Sequence, residues 1–239
     1  MPTTAIIVAA GAGQRMGLAT PKAFLQLAGR PLVAWSLSAF DTHPGIDAIV
    51  LMAPQDRVPE AERIAAAHRK VRRVAAGGGR RPDTVRLGLA LVGKSPGGDS
   101  LVLVHDAARP LVDRDLITRV IEAAGRTGAA FPGLPPSDTV REAAAGAGPG
   151  GARLAGRTPD RSGLVLVQTP QGFRLSLLEE AFARAGEKAG DATDEAALLE
   201  WMGHPVEVVP GSPRNLKITG PTDLEVAAAL LPSEARDSC

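Results

Sequence analysis

The sequence predicts an α/β fold in which a mostly parallel sheet carries helices on both faces and a β-hairpin arm projects from one region. Three observations lead there. Short apolar runs rich in β-branched residues alternate with segments of helical spacing along most of the chain. Most of the runs are continuously apolar, as strands buried on both faces must be, rather than alternating in and out. One stretch, 135–163, breaks the alternation with polar and small residues. Parallel neighbours need a crossover long enough to be a helix, so the repeated strand–helix pattern is Rossmann-like.

The strands are expected, in order, at Thr4–Ala9, Ala48–Ala53, Val71–Ala75, Leu101–His105, Ala129–Leu134, Leu164–Gln168 and Val206–Val209. Helices are expected between most of them. Pro31–Phe40 sets Leu32, Trp35, Leu37 and Phe40 largely on one side. Pro59–His68 opens with a proline, which a first helical turn tolerates. Thr84–Leu91, Leu116–Ala124, Leu175–Ala185 and Glu195–Met202 follow the same logic. The last helix, Asp223–Leu231, carries capping-box spacing in Thr222 and Glu225. In the arm, Asp138–Glu142 reads as a polar strand and Ala143–Gly151 as a tip with little to pack. A structureless loop of that length is unusual in a compact domain, and an isolated hairpin is marginal, so the arm is expected to embrace a second subunit.

Composition narrows the function classes. The 239 residues carry 27 Lys+Arg against 26 Asp+Glu, giving a formal net charge of +1 and no general attraction to nucleic acid or to an anionic membrane. Aromatics are 3% with no Tyr, which disfavours base-stacking platforms and sugar-stacking grooves. No run approaches the ~18 apolar residues of a membrane span. The single cysteine, Cys239, fits a reducing compartment, and no signal h-region is evident at the N-terminus, so the cytoplasm is the expected location.

Ligands of parallel sheets sit beyond the carboxyl ends of the strands, so the loops there are where chemistry is expected. After the first strand comes Ala10-Gly11-Ala12-Gly13-Gln14-Arg15-Met16-Gly17. The glycines let backbone N–H groups approach a phosphate, but the spacing misses G-x-G-x-x-G and no helix follows directly. Arg15 and Lys22 place two cations on this loop, which suits a polyphosphate better than a nicotinamide dinucleotide; the plainer reading is a surface loop with solvated charges. Gly88-Leu89-Ala90-Leu91-Val92-Gly93-Lys94-Ser95 fits the P-loop pattern by letter, yet a helical segment precedes it, so the match is rejected. The fourth strand delivers His105-Asp106-Ala107-Ala108-Arg109-Pro110. There Asp106 can hold Mg²⁺ on a nucleotide or accept from a sugar hydroxyl. Arg109 is equally suited to an ion pair or a ligand, and His105 reads as a core histidine. Gly77-Gly78-Gly79-Arg80-Arg81-Pro82-Asp83-Thr84 follows the third strand, where Thr84 can cap a helix or contact a base.

Taken together with Pro21-Lys22-Ala23-Phe24, Asp160-Arg161, Thr169-Pro170-Gln171, Thr193-Asp194-Glu195-Ala196 and Asn215-Leu216-Lys217-Ile218-Thr219 (the last read as a short strand), these motifs are recognisable. The chain resembles the 2-C-methyl-D-erythritol 4-phosphate cytidylyltransferases of non-mevalonate isoprenoid biosynthesis, within the sugar-phosphate nucleotidyltransferases, from about Thr4 to Leu231. The resemblance implies one nucleotidyltransferase domain over 1–239 with a dimerisation arm at about 135–163. It implies that Arg15 and Lys22 stabilise charge on the α-phosphate of CTP. Ala9, Ala10, Gly11, Gly13, Gly78, Thr84 and Ala107 would line the nucleotide pocket, and Asp106 would sit beside the Mg²⁺ and sugar or acceptor hydroxyls. Thr193 and Lys217 would hold methylerythritol phosphate, and Thr139 and Arg161 would reach the neighbouring subunit's site of a homodimer. Three positions depart from the family pattern: Gly79 and Arg80 stand where it commonly has an acidic pair, and Thr84 where it has Ser. Another polyol phosphate acceptor, such as ribitol 5-phosphate, is the nearest alternative; a dinucleotide-dependent oxidoreductase and a silent nucleotide-binding regulator are more distant ones.

Overall fold

The structure, a computed structural model, describes residues 1–11, 20–93, 99–147 and 152–231. Strand β1 (Thr3–Val8) is central. A small hairpin of β2 (Gln26–Leu27) and β3 (Arg30–Pro31) leads into α1 (Leu32–Asp41), and then come β4 (Ala48–Ala53), α2 (Val58–Ala65), β5 (Val71–Ala76), α3 (Arg81–Leu89) and β6 (Leu101–Asp106). The second half runs α4 (Arg114–Thr127), β7 (Ala129–Leu134), the arm strands β8 (Ala143–Ala147) and β9 (Arg153–Ala155), then β10 (Leu166–Val167) and β11 (Gln171–Arg174). It closes with α5 (Leu175–Ala185), α6 (Glu195–Trp201), β12 (Glu207–Pro210) and α7 (Pro221–Leu230).

The main sheet has the order β5-β4-β1-β6-β11-β7, with β10 and β12 also bonded to β7. β5, β4, β1 and β6 are mutually parallel. β11 is antiparallel to both β6 and β7, so β7 runs with β6, and β12 runs parallel to β7. Alternate residues feed two cores. Ala5, Ile7, Ile49, Leu51, Leu101 and Leu103 pack with Phe40 of α1 and Leu116, Ile117 and Val120 of α4. Ile6, Val50, Met52, Val102 and Val104 pack instead with Val85 and Leu89 of α3, Leu178 and Phe182 of α5 and Leu198 of α6. Both faces of the sheet are therefore covered, which is what the continuous apolar runs require. α3 lies so close to β1 that a Cβ on Gly88 would meet Ile6 Cγ2 at 2.8 Å, and Gly88 and Leu89 thus belong to a packed helix and not to a phosphate loop. Lys94 and Ser95 lie outside the described residues.

Four expectations need correction. β11 was not foreseen: four residues with Gln and Arg at the ends present no apolar run, although Gln171, Gly172 and Phe173 are buried between two strands. In the arm, Asp138–Glu142 forms no strand, and β8, in residues assigned to the tip, pairs with β9 just beyond it. Backbone bonds decide this: Glu142 N–H donates to Arg157 O and Gly156 N–H to Glu142 O, so the ladder begins at Glu142 and runs into the small residues. The segment 215–219 is not a strand, although Ile218 N–H donates to Ala108 O and ties it to the loop after β6. α7 starts two residues early, because Asp223 and not Glu225 closes its cap, accepting from the N–H groups of Thr219 and Gly220 and from the Thr219 hydroxyl.

Candidate active site

From β1 the chain passes to β4 on one side, while β6 lies on the other, so the strand order reverses between β1 and β6. A crevice opens there beyond the carboxyl ends, the general ligand position of such sheets. It is a cleft of about 530 Å³ lined by the ends of β1 and β6, the glycine loop before α3, the turn at Lys22–Phe24 and Lys217. Of the described lining residues, four are cations (Lys22, Arg80, Arg81 and Lys217) and one is a carboxylate, Asp106.

The elements fix these groups firmly. Ala9 N–H donates to Met52 O and Ala107 N–H to Val8 O, so both strand ends stay in ladder register into their loops. Gly77 N–H continues the β5 ladder to Ala53 O. A Cβ on Gly77 would lie 2.3 Å from the Ala10 Cβ, so only glycine allows the two loops to meet. Ala23 and Phe24 are buried and anchor Lys22, whose Nζ donates to Thr219 O at 3.4 Å. Lys217 Nζ donates to Asp106 Oδ2 at 2.6 Å, and Arg81 Nε donates to Asp106 Oδ1 at 3.0 Å. Burial would push the Asp106 carboxyl up, but the charges of Arg81 and Lys217 outweigh it and hold it below the ordinary carboxylate range. Arg81 Nη1 also donates to both oxygens of Glu195, at 2.7 and 2.9 Å. Although burial opposes a charged guanidinium, Glu195 and Asp106 together keep Arg81 protonated.

Below the cleft, Thr169 Oγ1 accepts from Asp106 N–H and lies 3.2 Å from His105 Nδ1. His105 Nε2 stands 3.2 Å from Arg109 O, which can only accept, so Nε2 carries the proton. Burial pushes this imidazole down to about 3, so it is neutral. Arg109 is buried and donates to Asn215 O and Val167 O. It is a brace between the Lys217 segment and the base of the arm.

Ala9, Ala10, Gly11, Gly78, Thr84, Lys22, Asp106 and Lys217 thus gather at one cleft, as the motifs anticipated. Ala107 does not line it: its side chain is fully buried, and Ala108 takes the position. Thr84 is 2% exposed and its hydroxyl accepts from Gly78 N–H, so it closes the glycine loop. Thr193 is exposed just ahead of α6, and Thr139 and Arg161 are exposed on the arm, with Arg161 donating to Ser137 O; none of the three lines this cleft. Gly13 and Arg15 lie outside the described residues. Arg81 and Glu195 were missed as site residues. Arg81 carried a signal, a second cation directly after a strand-end glycine loop, whereas a pair separated by 114 positions leaves none in one sequence. Both oxygens of Asp106 are engaged by cations, and among the described residues no three His, Cys, Asp or Glu are grouped to hold a metal.

A Rossmann-like sheet whose switch point opens into a cationic cleft over a glycine-rich loop defines a protein suited to bind a nucleotide's phosphates. The model of the family described as 2-C-methyl-D-erythritol 4-phosphate cytidylyltransferase matches residues 3–233. The enzyme of that name from Syntrophotalea carbinolica is 41% identical over 234 residues, covering 97% of each chain. That from Symbiobacterium thermophilum is 42% identical over 237 residues, covering 99% of this chain and 95% of its own. The crystal structure of the Thermus thermophilus enzyme is 39% identical with a TM-score of 0.75, over 96% of this chain and 98% of that one. The chain belongs to the 2-C-methyl-D-erythritol 4-phosphate cytidylyltransferase family.

Proposed function

We infer that the chain transfers CMP from CTP to 2-C-methyl-D-erythritol 4-phosphate, releasing pyrophosphate and forming 4-diphosphocytidyl-2-C-methyl-D-erythritol. The observation that carries this is the cleft itself: four cations against one carboxylate, at the switch point, with a glycine loop admitting close backbone approach. The acceptor's phosphate oxygen attacks the α-phosphorus in line while the P–O bond to pyrophosphate breaks. That nucleophile is already anionic near neutral pH, so the enzyme needs alignment and charge stabilisation more than a base. Lys22 faces the cleft for that purpose, and Arg15 joins it on the family pattern. Lys217, in the cleft, holds the acceptor phosphate, Thr193 joins it on the family pattern from just ahead of α6, and Asp106 orients hydroxyls. Asp106 is the described carboxylate that would lie beside a Mg²⁺ carried by CTP, and such an ion would neutralise charge on the phosphates.

The arm makes the working unit a homodimer, Thr139 and Arg161 serving the neighbouring site. Leu154, Val165, Leu166 and Val167, all exposed along the arm and its base, supply apolar surface for such a contact. A cytoplasmic setting accords with a sequence of one cysteine, and no helix among the described residues is long and apolar enough to cross a membrane. A coupled pyrophosphate-release assay tests the acceptor. With CTP and Mg²⁺, methylerythritol phosphate should support turnover and ribitol 5-phosphate should not; the reverse preference, or no turnover with either, refutes the assignment. Methylerythritol phosphate is favoured because the relatives described above bear it in their names.

A further inference from the structure

Glu195 is a carboxylate with no exposed surface, in the first turn of α6. A lone charge so deep is expensive, and its oxygens find one guanidinium, Arg81. The position of Glu195 is set independently of that pair. Asp194 caps α6 by accepting from Ala197 N–H at 3.0 Å. Gln171 of β11, itself fully buried, donates through Nε2 to Asp194 Oδ2 at 2.8 Å and accepts from Ala196 N–H at 3.2 Å. The start of α6 is thus clamped to the central sheet. Arg81 stands in the first turn of α3, where a cation opposes the positive end of the helix dipole, so it needs both its carboxylates.

We propose that Glu195 is a positioning residue for the transfer reaction: it holds one side of the Arg81 guanidinium so that the other side, with Lys217, sets the Asp106 carboxylate at the floor of the cleft. Arg81, Asp106 and Lys217 line the cleft; Glu195 does not and acts through Arg81. The four side chains form a charge-balanced set of two cations and two carboxylates. Removing the buried charge weakens the hold on Arg81 Nη1 and leaves one uncompensated cation, which can turn from Asp106 toward a bound phosphate.

The proposal rests on the cytidylyl-transfer reading. The test is a double-mutant cycle between Glu195→Gln, which keeps shape and one acceptor, and Arg81→Met. Glu195→Gln should lower kcat/KM by about 10- to 100-fold, as displacement of an aligned group does. Calorimetry with CTP and Mg²⁺ should still find one site per chain. In the Arg81→Met background the same change should cost less than about twofold, because its route of action is already gone. Wild-type turnover by Glu195→Gln, or an equal further loss in the Arg81→Met background, overturns the proposal. If Glu195→Gln fails to fold, Glu195→Asp carries the test: the charge stays but is withdrawn by one methylene, an intermediate loss is expected, and unchanged kcat/KM refutes positioning. A wild-type chain releasing no pyrophosphate would refute cytidylyl transfer itself, a result distinct from any of these.

Discussion

Lys22 and Lys217 reach the same cleft from opposite ends of the chain, Lys217 bound to Asp106 and Lys22 directed at the backbone of Thr219. Lys22→Ala should lower kcat by about 10²–10³, the usual loss for one preorganised donor facing developing charge. Steady-state pyrophosphate release at saturating CTP measures it, and a wild-type kcat would remove Lys22 from the chemistry. His105 gives a second prediction. Its imidazole is neutral in the fold, down at about 3, against an ordinary 6.5 in the unfolded chain. Between those values the unfolded chain binds the extra proton, so the contribution is intact above pH 6.5 and is lost as pH falls toward 3, by up to about 1.4 kcal/mol per pH unit. Urea titrations across that window should show a flatter slope for His105→Gln than for wild type, while equal slopes would mean that His105 is not the group. Lys22 and Asp106 were legible in the sequence because each directly follows or ends a recognisable segment. Arg81's pairing was not, because one partner lies 25 positions away and the other 114.

At the next scale the glycine loop between β5 and α3 is held by close approach. Gly77 leaves no room for a methyl between Ala10 and Thr84. Gly77→Ala should therefore part the two cleft-lining loops, at about 1–3 kcal/mol of stability from overpacking and, on the proposed function, with weaker CTP binding. Denaturant unfolding and calorimetry check the two effects; a variant matching wild type in both would show that the loops do not depend on this contact. The elements that were legible are those whose signal is local. The apolar runs of β1, β4, β6 and β7 and the helical spacing of α4 are of that kind; in the fold Asp113 caps α4 by accepting from Leu116 N–H and Gly128 ends it at φ 91°. β11 owes its existence to strands on either side of it, and β8 to a backbone ladder over residues without side-chain preference, so neither announces itself. The segment carrying Lys217 resembles a strand in composition, yet its backbone bond goes to the loop at Ala108.

The whole molecule raises the question of where one active site ends. The described lining of the cleft comes from one chain, while Thr139 and Arg161 stand on the arm and line no part of it. The arm is a thin two-stranded hairpin, and its exposed Arg157–Glu142 ion pair adds little, so its order must come from something outside itself. In the proposed homodimer a second copy of the chain would answer both points, and light scattering should then find twice 24.6 kDa. Complementation gives the sharper test. Lys22→Ala disables the body of a site and Arg161→Ala the arm that serves it, so each homodimer should be slow. Dissociated and reassociated at random, half the dimers pair one variant of each kind. Each mixed dimer then holds one site with both residues intact and one lacking both, which restores about a quarter of wild-type turnover. If Arg161 served its own chain's cleft, or the arm served none, mixing would leave activity at the level of the separate variants.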